Sequence, residues 1–278
     1  MRLPKDLKDW NAYKELKGEI DNLKDVLPII IDIKKQQIKE RHWKSICEIT
    51  GVQLDYDHED IMNFNDLLEC RLLDFQEEVV DIIDSAEKQQ KIEKQLNEIN
   101  DNWKDYEFEF SNWGQRDQPC ILGGLKVAEI VELLEDDKMT LTTLNAQRHV
   151  GPFKEEVEKQ IRIFSDVNET LDLWIKVQML WTSLEAVFTG GDIAKQMPGE
   201  SRKFQGIDKS WLRLMEKAVE TKKVIPCCQN DILKQFLPDL YKNLELCQKS
   251  LDIYLERKRK MFPRMYFVSG PTLLKILS

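Results

Sequence analysis

Glycine and proline are scarce in this sequence. Eleven glycines and nine prolines are spread over 278 residues, too few for the turns of an all-β sandwich or a nucleotide-binding α/β sheet, so the composition favours an all-α class. No run of ~18 apolar residues occurs, which excludes a membrane-spanning helix. The opening stretch MRLPKDLKDW has no apolar signal core. Positive charge is outweighed, 41 Lys and Arg against 50 Asp and Glu for a net charge of −9, which argues against nucleic acid as a partner. The six cysteines, Cys47, Cys70, Cys120, Cys227, Cys228 and Cys247, include no C-x-x-C pair. The adjacent Cys227 and Cys228 make a poor disulfide framework, so the thiols are read as reduced, in the cytosol or a compartment continuous with it. The sequon Asn168-Glu169-Thr170 falls inside a helical pattern and is read as chance.

Catalytic signatures are missing as well. There is no P-loop, since Gly123-Gly124 is followed by Leu125 and no lysine-containing cradle. G-x-G-x-x-G, H-E-x-x-H and G-x-S-x-G are also lacking. The three histidines, His42, His58 and His149, are far apart, with no ligand at metal spacing. Asp55, Asp57, Glu59 and Asp60 resemble a calcium loop but lack its twelve-residue pattern and central glycine, so they read as a solvated, helix-capping turn. Glu135-Asp136-Asp137 lacks the third acid of a D-D-x-x-D magnesium motif and reads as a solvated helix end. The Cys227-Cys228 pair is read as filling a buried corner rather than as a reactive dithiol. No catalytic, cofactor-binding or metal-binding residue is assigned.

What the sequence does hold is long helical periodicity. Phe153, Val157, Ile161, Phe164, Val167, Leu171, Trp174, Val177, Trp181, Leu184 and Phe188 follow one another at steps of three or four, on one face of a helix. Pro152 suits its first turn, and Gly190-Gly191 stops it. Such a helix is ~50 Å long and needs partners along its whole length, with Phe164, Leu171, Trp174, Trp181, Leu184 and Phe188 as its structural seam. A second seam runs through Leu68, Leu72, Phe75, Val79, Ile82, Ala86, Gln89, Ile92, Leu96, Ile99, Trp103 and Tyr106, in a helix beginning near Phe64.

An amphipathic helix opens the chain with Leu3, Leu7, Trp10, Tyr13, Leu16, Ile20, Leu23 and Leu27. It begins as if cut from a longer polypeptide. Pro28 interrupts it, it resumes to about Cys47, and Gly51 is its C′ residue. Residues 106–110 alternate with period two and residues 119–122 form a second apolar run, which together predict a β-hairpin closed by Gly123-Gly124. A shorter helix through Val127, Ile130, Val131 and Leu134 precedes the acidic triplet. After Gly190-Gly191 a structured loop leads to Asp208 as an N-cap, and a helix through Trp211, Leu214, Met215 and Ala218 is broken by Pro226. The last long helix carries Leu233 through Tyr254, kinked or restarted at Pro238. An extended apolar piece, residues 262–268, and a short helix, residues 273–277, end the chain. The expected architecture is therefore all-α, elongated bundles of long amphipathic helices with one small β-hairpin. Three parts are expected: 1–110, an N-terminal bundle; 111–152, hairpin and short helices with Gly123 and Gly124 as a hinge; and 153–278, a C-terminal bundle.

An ordered series of motifs resembles the linker region of dynein heavy chains, the segment before the first AAA module. It comprises Arg41-His42-Trp43, then residues 173–181 with Trp174, Gln178 and Trp181, then residues 184–188, then Asp192-Ile193 with Gln196-Met197-Pro198, then Phe204, Asp208 and Trp211. The run from Tyr254 into Phe262-Pro263-Arg264-Met265-Tyr266-Phe267-Val268-Ser269 resembles the family's exit sequence, with Met265 in place of the usual aromatic and Gly270 in place of an acidic or small residue. The stretches 188–193 and 204–211 look axonemal, and Cys228 with residues 246–250 leans toward an outer-arm chain. The resemblance implies a lever without chemistry of its own, bending and straightening over the AAA+ ring of the same heavy chain. It implies that ATP and Mg belong to that ring, that the parent motor binds microtubules and other dynein chains, and that it works in the cytoplasm and cytoskeleton, in the axoneme of a cilium or flagellum. Nucleic acid and membrane are not expected partners. The rival readings are a passive spectrin-like or tethering scaffold, which would show a long internal repeat that is not found, and an enzyme with an unrecognised helical site.

Overall fold

The computed structural model describes residues 10–35, 38–54, 67, 70–189 and 192–277. Ten α-helices and a single two-stranded hairpin form the described part, the all-α class that the periodicity predicts. The backbone divides into two compact units, Met1–Asn97 with Gln147–Phe153, and Glu98–Ala146 with Lys154–Ser278. Leu3, Leu7, the loop with Asp55, Asp57, His58, Glu59 and Asp60, Phe64, Leu68 and Gly190-Gly191 lie outside the described residues.

The first unit holds α1 (Asn11–Lys35), α2 (Glu40–Thr50) and the leading part of α3 (Gln76–Asp105). Its core gathers Val26, Ile29, Ile33, Ile46, Leu54, Leu72, Val79 and Ile83. The break expected at Pro28 falls instead between Lys35 and Glu40, so the stretch expected to run from Pro28 to Cys47 is shared by two helices. α1 passes through Pro28 unbroken, because burial of Val26, Ile29 and Ile33 around the proline offsets the hydrogen bond it cannot donate. A separate α2 starts at Glu40, where the Lys39 N–H donates to His42 Nδ1 at 3.1 Å. Gly51 takes the left-handed conformation (φ 69°) and donates its N–H to the Cys47 carbonyl, so it closes α2 as a C′ glycine should.

On α3 the buried positions are Val79, Ile83, Ala86, Ile92, Leu96, Ile99 and Trp103. Ile83 replaces the expected Ile82, since the core lies four residues beyond Val79. The helix begins at Gln76, and Leu72 and Phe75 sit in the preceding turn, where Arg71 has φ 46°.

The second unit is built on α5 (Lys154–Phe188), entered through a 3-10 turn at Gly151–Phe153. Val157, Phe164, Val167, Leu171, Trp174, Val177, Trp181, Leu184 and Phe188 are all buried on it, each side chain contributing about 1.5–3 kcal/mol by leaving water. Against α5 pack α4 (Gly124–Asn145), α6 (Asp192–Gln196), α7 (Pro198–Thr221), α8 (Val224–Cys228) and α9 (Asp231–Met261).

Four local readings change in this unit. α4 continues through Glu135-Asp136-Asp137, because Leu134, Leu141 and Leu144 keep one buried face going beyond the acids. α7 is continuous where a loop is expected, so Asp208 lies inside a helix and caps nothing. Burial of Phe204, Ile207 and Trp211 outweighs the ~1 kcal/mol that each of Gly199 and Gly206 costs in a helix. α7 ends at Thr221 ahead of Pro226, which sits within α8. α9 runs through Pro238, flanked by buried Leu237 and Leu240. Residues 262–268 are not extended: Pro263–Phe267 form a 3-10 turn, closed by Met265 N–H to Phe262 O at 2.8 Å and Val268 N–H to Met265 O at 3.1 Å. α10 (Gly270–Leu277) follows as expected.

The hairpin pairs β1 (Phe110–Asn112) with β2 (Pro119–Leu122) antiparallel, Phe110 opposite Leu122. Its first strand starts where the alternating stretch ends. Residues 106–108 instead meet the turn after α7: Phe108 N–H donates to Lys222 O at 2.9 Å and Val224 N–H to Tyr106 O at 3.0 Å. Gly123 is the N-cap of α4 and donates to Glu109 O at 2.8 Å. A Cβ there would lie 3.3 Å from that same oxygen, so the position favours glycine.

Candidate functional site

Two polar clusters hold several of the residues that the motifs single out, among them Arg41, His42, Gln178, Trp181, Asp208 and Trp211. In the first unit, the 3.1 Å bond from the Lys39 amide fixes His42 Nδ1 as an acceptor, so Nε2 carries the proton and donates to Gln89 Oε1 at 2.9 Å. Arg41 Nε donates to the same Gln89 oxygen at 2.8 Å, and the Arg41 guanidinium lies 5.1 Å from the Phe153 ring centre. Lys39 Nζ holds both oxygens of Glu93 at 2.5 and 2.6 Å. Burial lowers the His42 pKa, the Gln89 bond opposes that, and neighbouring Arg41 and Lys39 lower it further. Trp43 is half-buried against the core. Arg41-His42 thus clamps α2 to α3 and to the turn before α5.

The second cluster ties the hairpin to α5 and α7. Gln178 brackets Leu122, accepting its N–H at 2.8 Å and donating to its carbonyl at 3.2 Å. Trp211 Nε1 donates to the Cys120 carbonyl at 3.0 Å. Trp181 Nε1 donates to Asp208 Oδ1 at 3.1 Å, and the Trp181 and Trp211 rings stack 5.7 Å apart. Arg116, from the hairpin loop, reaches Asp208 at 3.0 Å and Glu185 at 3.3 Å and lies 5.1 Å from the Trp181 ring centre. Burial works against the Arg116 charge, but the two carboxylates outweigh it and raise its pKa.

Below this cluster Phe188 stacks on Phe204 at 5.6 Å, and Phe108 packs edge-on against Trp174 at 5.6 Å. Phe164 meets Trp103 at 5.1 Å, and Trp103 Nε1 donates to Asp137 at 2.6 Å. Leu171 and Leu184 are buried beside them. Pro198 opens α7 at its first turn. Asp192 begins α6; its side chain lies outside the described residues. Phe262, Pro263 and Arg264 belong to neither cluster. They are exposed at the end of α9, together with Tyr266 and Phe267.

Sequence reasoning missed Arg116, and it missed the polar roles of Gln89, Glu185 and Asp208 although it named or spanned those positions. Arg116 finds its acids 69 and 92 residues away, and no local spacing announces such a triad. The chemistry of both clusters is cohesive. Cys227 is pushed up to about 12 by burial, and Cys228 and Cys120 are raised by the same cause, so these thiols stay protonated and unreactive. Among the described residues no three His, Cys, Asp or Glu side chains gather as a metal site.

Comparison with known proteins gives this framework its family. The family model for dynein heavy chain, N-terminal region 2, matches residues 1–278. The chain is 41% identical over 277 residues to dynein axonemal heavy chain 8 of Homo sapiens and 40% identical over 277 residues to dynein axonemal heavy chain 5 of Mus musculus. It is 38% identical over 276 residues to the dynein gamma chain, flagellar outer arm, of Chlamydomonas reinhardtii. Each match takes in 99% of this chain but only 6% of the relative's length. The ordered tryptophan, glutamine and proline motifs, the helical framework that buries them and the match along the full chain lead to one conclusion: this chain belongs to the dynein heavy chain family, as its N-terminal region 2.

Proposed function

We propose that this region is the mechanical linker of a dynein heavy chain, a lever that bends and straightens over the AAA+ ring of the same polypeptide. It has no catalysis of its own. ATP and Mg belong to the ring, and microtubules and other dynein chains are partners of the whole motor. The axonemal and flagellar names of its relatives support a place in the cytoskeleton of a cilium or flagellum. The observation that carries the lever is α5: a 35-residue helix buried along one face from Val157 to Phe188. A helix packed over that length transmits displacement instead of absorbing it.

Bending is assigned to residues 111–152. Within that span, the hairpin and Gly123-Gly124 are bonded into the second unit through Gln178, Trp211 and Arg116. Residues 147–153 group with the first. The joint is therefore expected at the carboxyl end of the span, after Ala146. The exit residues Phe262, Pro263 and Arg264 lead toward the ring. Structures of an intact motor carrying this region, in two nucleotide states and superposed on residues 154–261, test the reading. Residues 10–97 should be displaced as a body, with the shift starting between 111 and 152 and a matching bend in α3 at Asn97–Glu98, where the chain also passes from one unit to the other. An N-terminal unit that stays in place, as a passive tether would, or a break inside α5, overturns it.

A further inference from the structure

Helix α1 carries two apolar faces, and among the described residues only one is buried. Val26, Ile29 and Ile33 are buried in the core of the first unit. About a third of a turn away, at ~100° per residue, run Tyr13, Leu16, Ile20, Leu23 and Leu27. Their steps of three, four, three and four are those of the a and d positions of a heptad. Leu16, Ile20, Leu23 and Leu27 are 57%, 44%, 38% and 37% exposed, and none of residues 11–25 is buried. A lone helix of ~12–15 residues is marginal in water and draws its stability from packing of an apolar face. The edges of the stripe are charged unequally. Lys17 and Lys24 flank the d side one heptad apart, while Glu19 flanks the a side. Lys24 is paired with Asp21 at 3.3 Å, an exposed pair of the kind that contributes little, so it remains available across an interface.

We propose that this stripe is one half of a short coiled coil. Its other half is an amphipathic helix of the same heavy chain, from outside these 278 residues, with Asp or Glu along the edge that meets Lys17 and Lys24. The source follows from size. The stripe offers five side chains, against the ~20–30 residues a side of a stable interface, so a separate polypeptide held by this seam alone would dissociate. A helix tethered in the same chain acts at an effective concentration in the ~mM range, where two heptads suffice. The relatives hold ample sequence to supply one, since this region spans 6% of their length. The proposal rests on family membership and is independent of the lever reading.

The test uses the full-length heavy chain in its assembled motor, with a photo-crosslinking amino acid in place of Lys17 or Lys24. Cross-links should map to a heptad-patterned, acid-edged segment of the same polypeptide. Separately, the double variant Ile20→Asp/Leu23→Asp should speed amide exchange across residues 11–25 by about tenfold or more, as local opening becomes cheaper. Cross-links to another polypeptide, including a second copy of the heavy chain, overturn the proposal. So does the lack of any cross-link, or exchange that the double variant leaves unchanged.

Discussion

Single side chains in this protein are held by more than burial. Trp181 is fully buried, donates to Asp208 and lies under the Arg116 guanidinium. Trp181→Ala should therefore cost about 3–5 kcal/mol, read as a lower denaturant midpoint. A variant that melts like wild type would refute its structural role. His42 predicts a pH dependence. Its folded pKa lies below the ordinary value, which is ~6.5, so the unfolded chain takes up the proton first. Its contribution is whole above that value, declines as pH falls through it and levels off below the folded pKa. Lys39, Arg41, Gln89 and the Lys39-bound Glu93 are the groups around it, and protonation would set Nδ1–H against the Lys39 N–H. Urea midpoints between neutral and acid pH should fall more steeply for wild type than for His42→Gln. Lys222 offers the opposite case. It holds φ 54° and ψ −41°, and its side chain is exposed. Lys222→Gly should relieve about 1 kcal/mol of backbone strain, measured as a raised midpoint.

Among the elements, the hairpin is too short to stand alone. A two-stranded ribbon is marginal in water, and this one is held by one glutamine and one indole from its surroundings and by its own Arg116, which reaches Asp208 and Glu185. Gln178→Ala strips the partners from both polar groups of Leu122, and should cost about 1–3 kcal/mol for leaving buried groups unpaired. Amide exchange at residues 110–122 should quicken more than at α5. Uniform loss of protection would instead mean that Gln178 supports α5 itself. The same bonds explain why Gly123-Gly124 is a poor place to bend although glycine there looks permissive. Gly123 is favoured by the closeness of the Glu109 carbonyl, a packing reason and not a flexibility reason.

For the whole molecule, the lever reading carries a negative biochemical expectation. The sequence offers no phosphate-cradling loop, so the purified region should show no saturable ATP binding at micromolar concentration by calorimetry. Binding there would move part of the nucleotide chemistry into this region and overturn the division of labour between linker and ring. The chain passes between the two compact units inside α3, after Ala146 and after Phe153. A motion of one unit must therefore be accommodated at Asn97–Glu98 as well as at the turn before α5.

Periodicity by itself determined the helical class, the α5 seam, most of the α3 seam, the Gly51 cap and the burial of both tryptophans on α5. Each is a local statement: apolar residues at helical spacing must find a partner, whichever it is. Motif order, likewise readable in one dimension, was enough to indicate the family. Tertiary structure decided what depends on the partner. α1 crosses Pro28, α7 absorbs two glycines and α9 crosses Pro238 because buried neighbours on either side outweigh a local penalty of a few kcal/mol. Asp208 became the acceptor for Trp181 and Arg116, not a cap, because α5 and the hairpin loop bring those donors to it. The opening stripe of α1 shows the limit from the other side. Its spacing reads as a core face, yet among the described residues it stays largely exposed. A sequence states that an apolar face needs burial, and only the packed structure states whether, and against what, the burial is achieved.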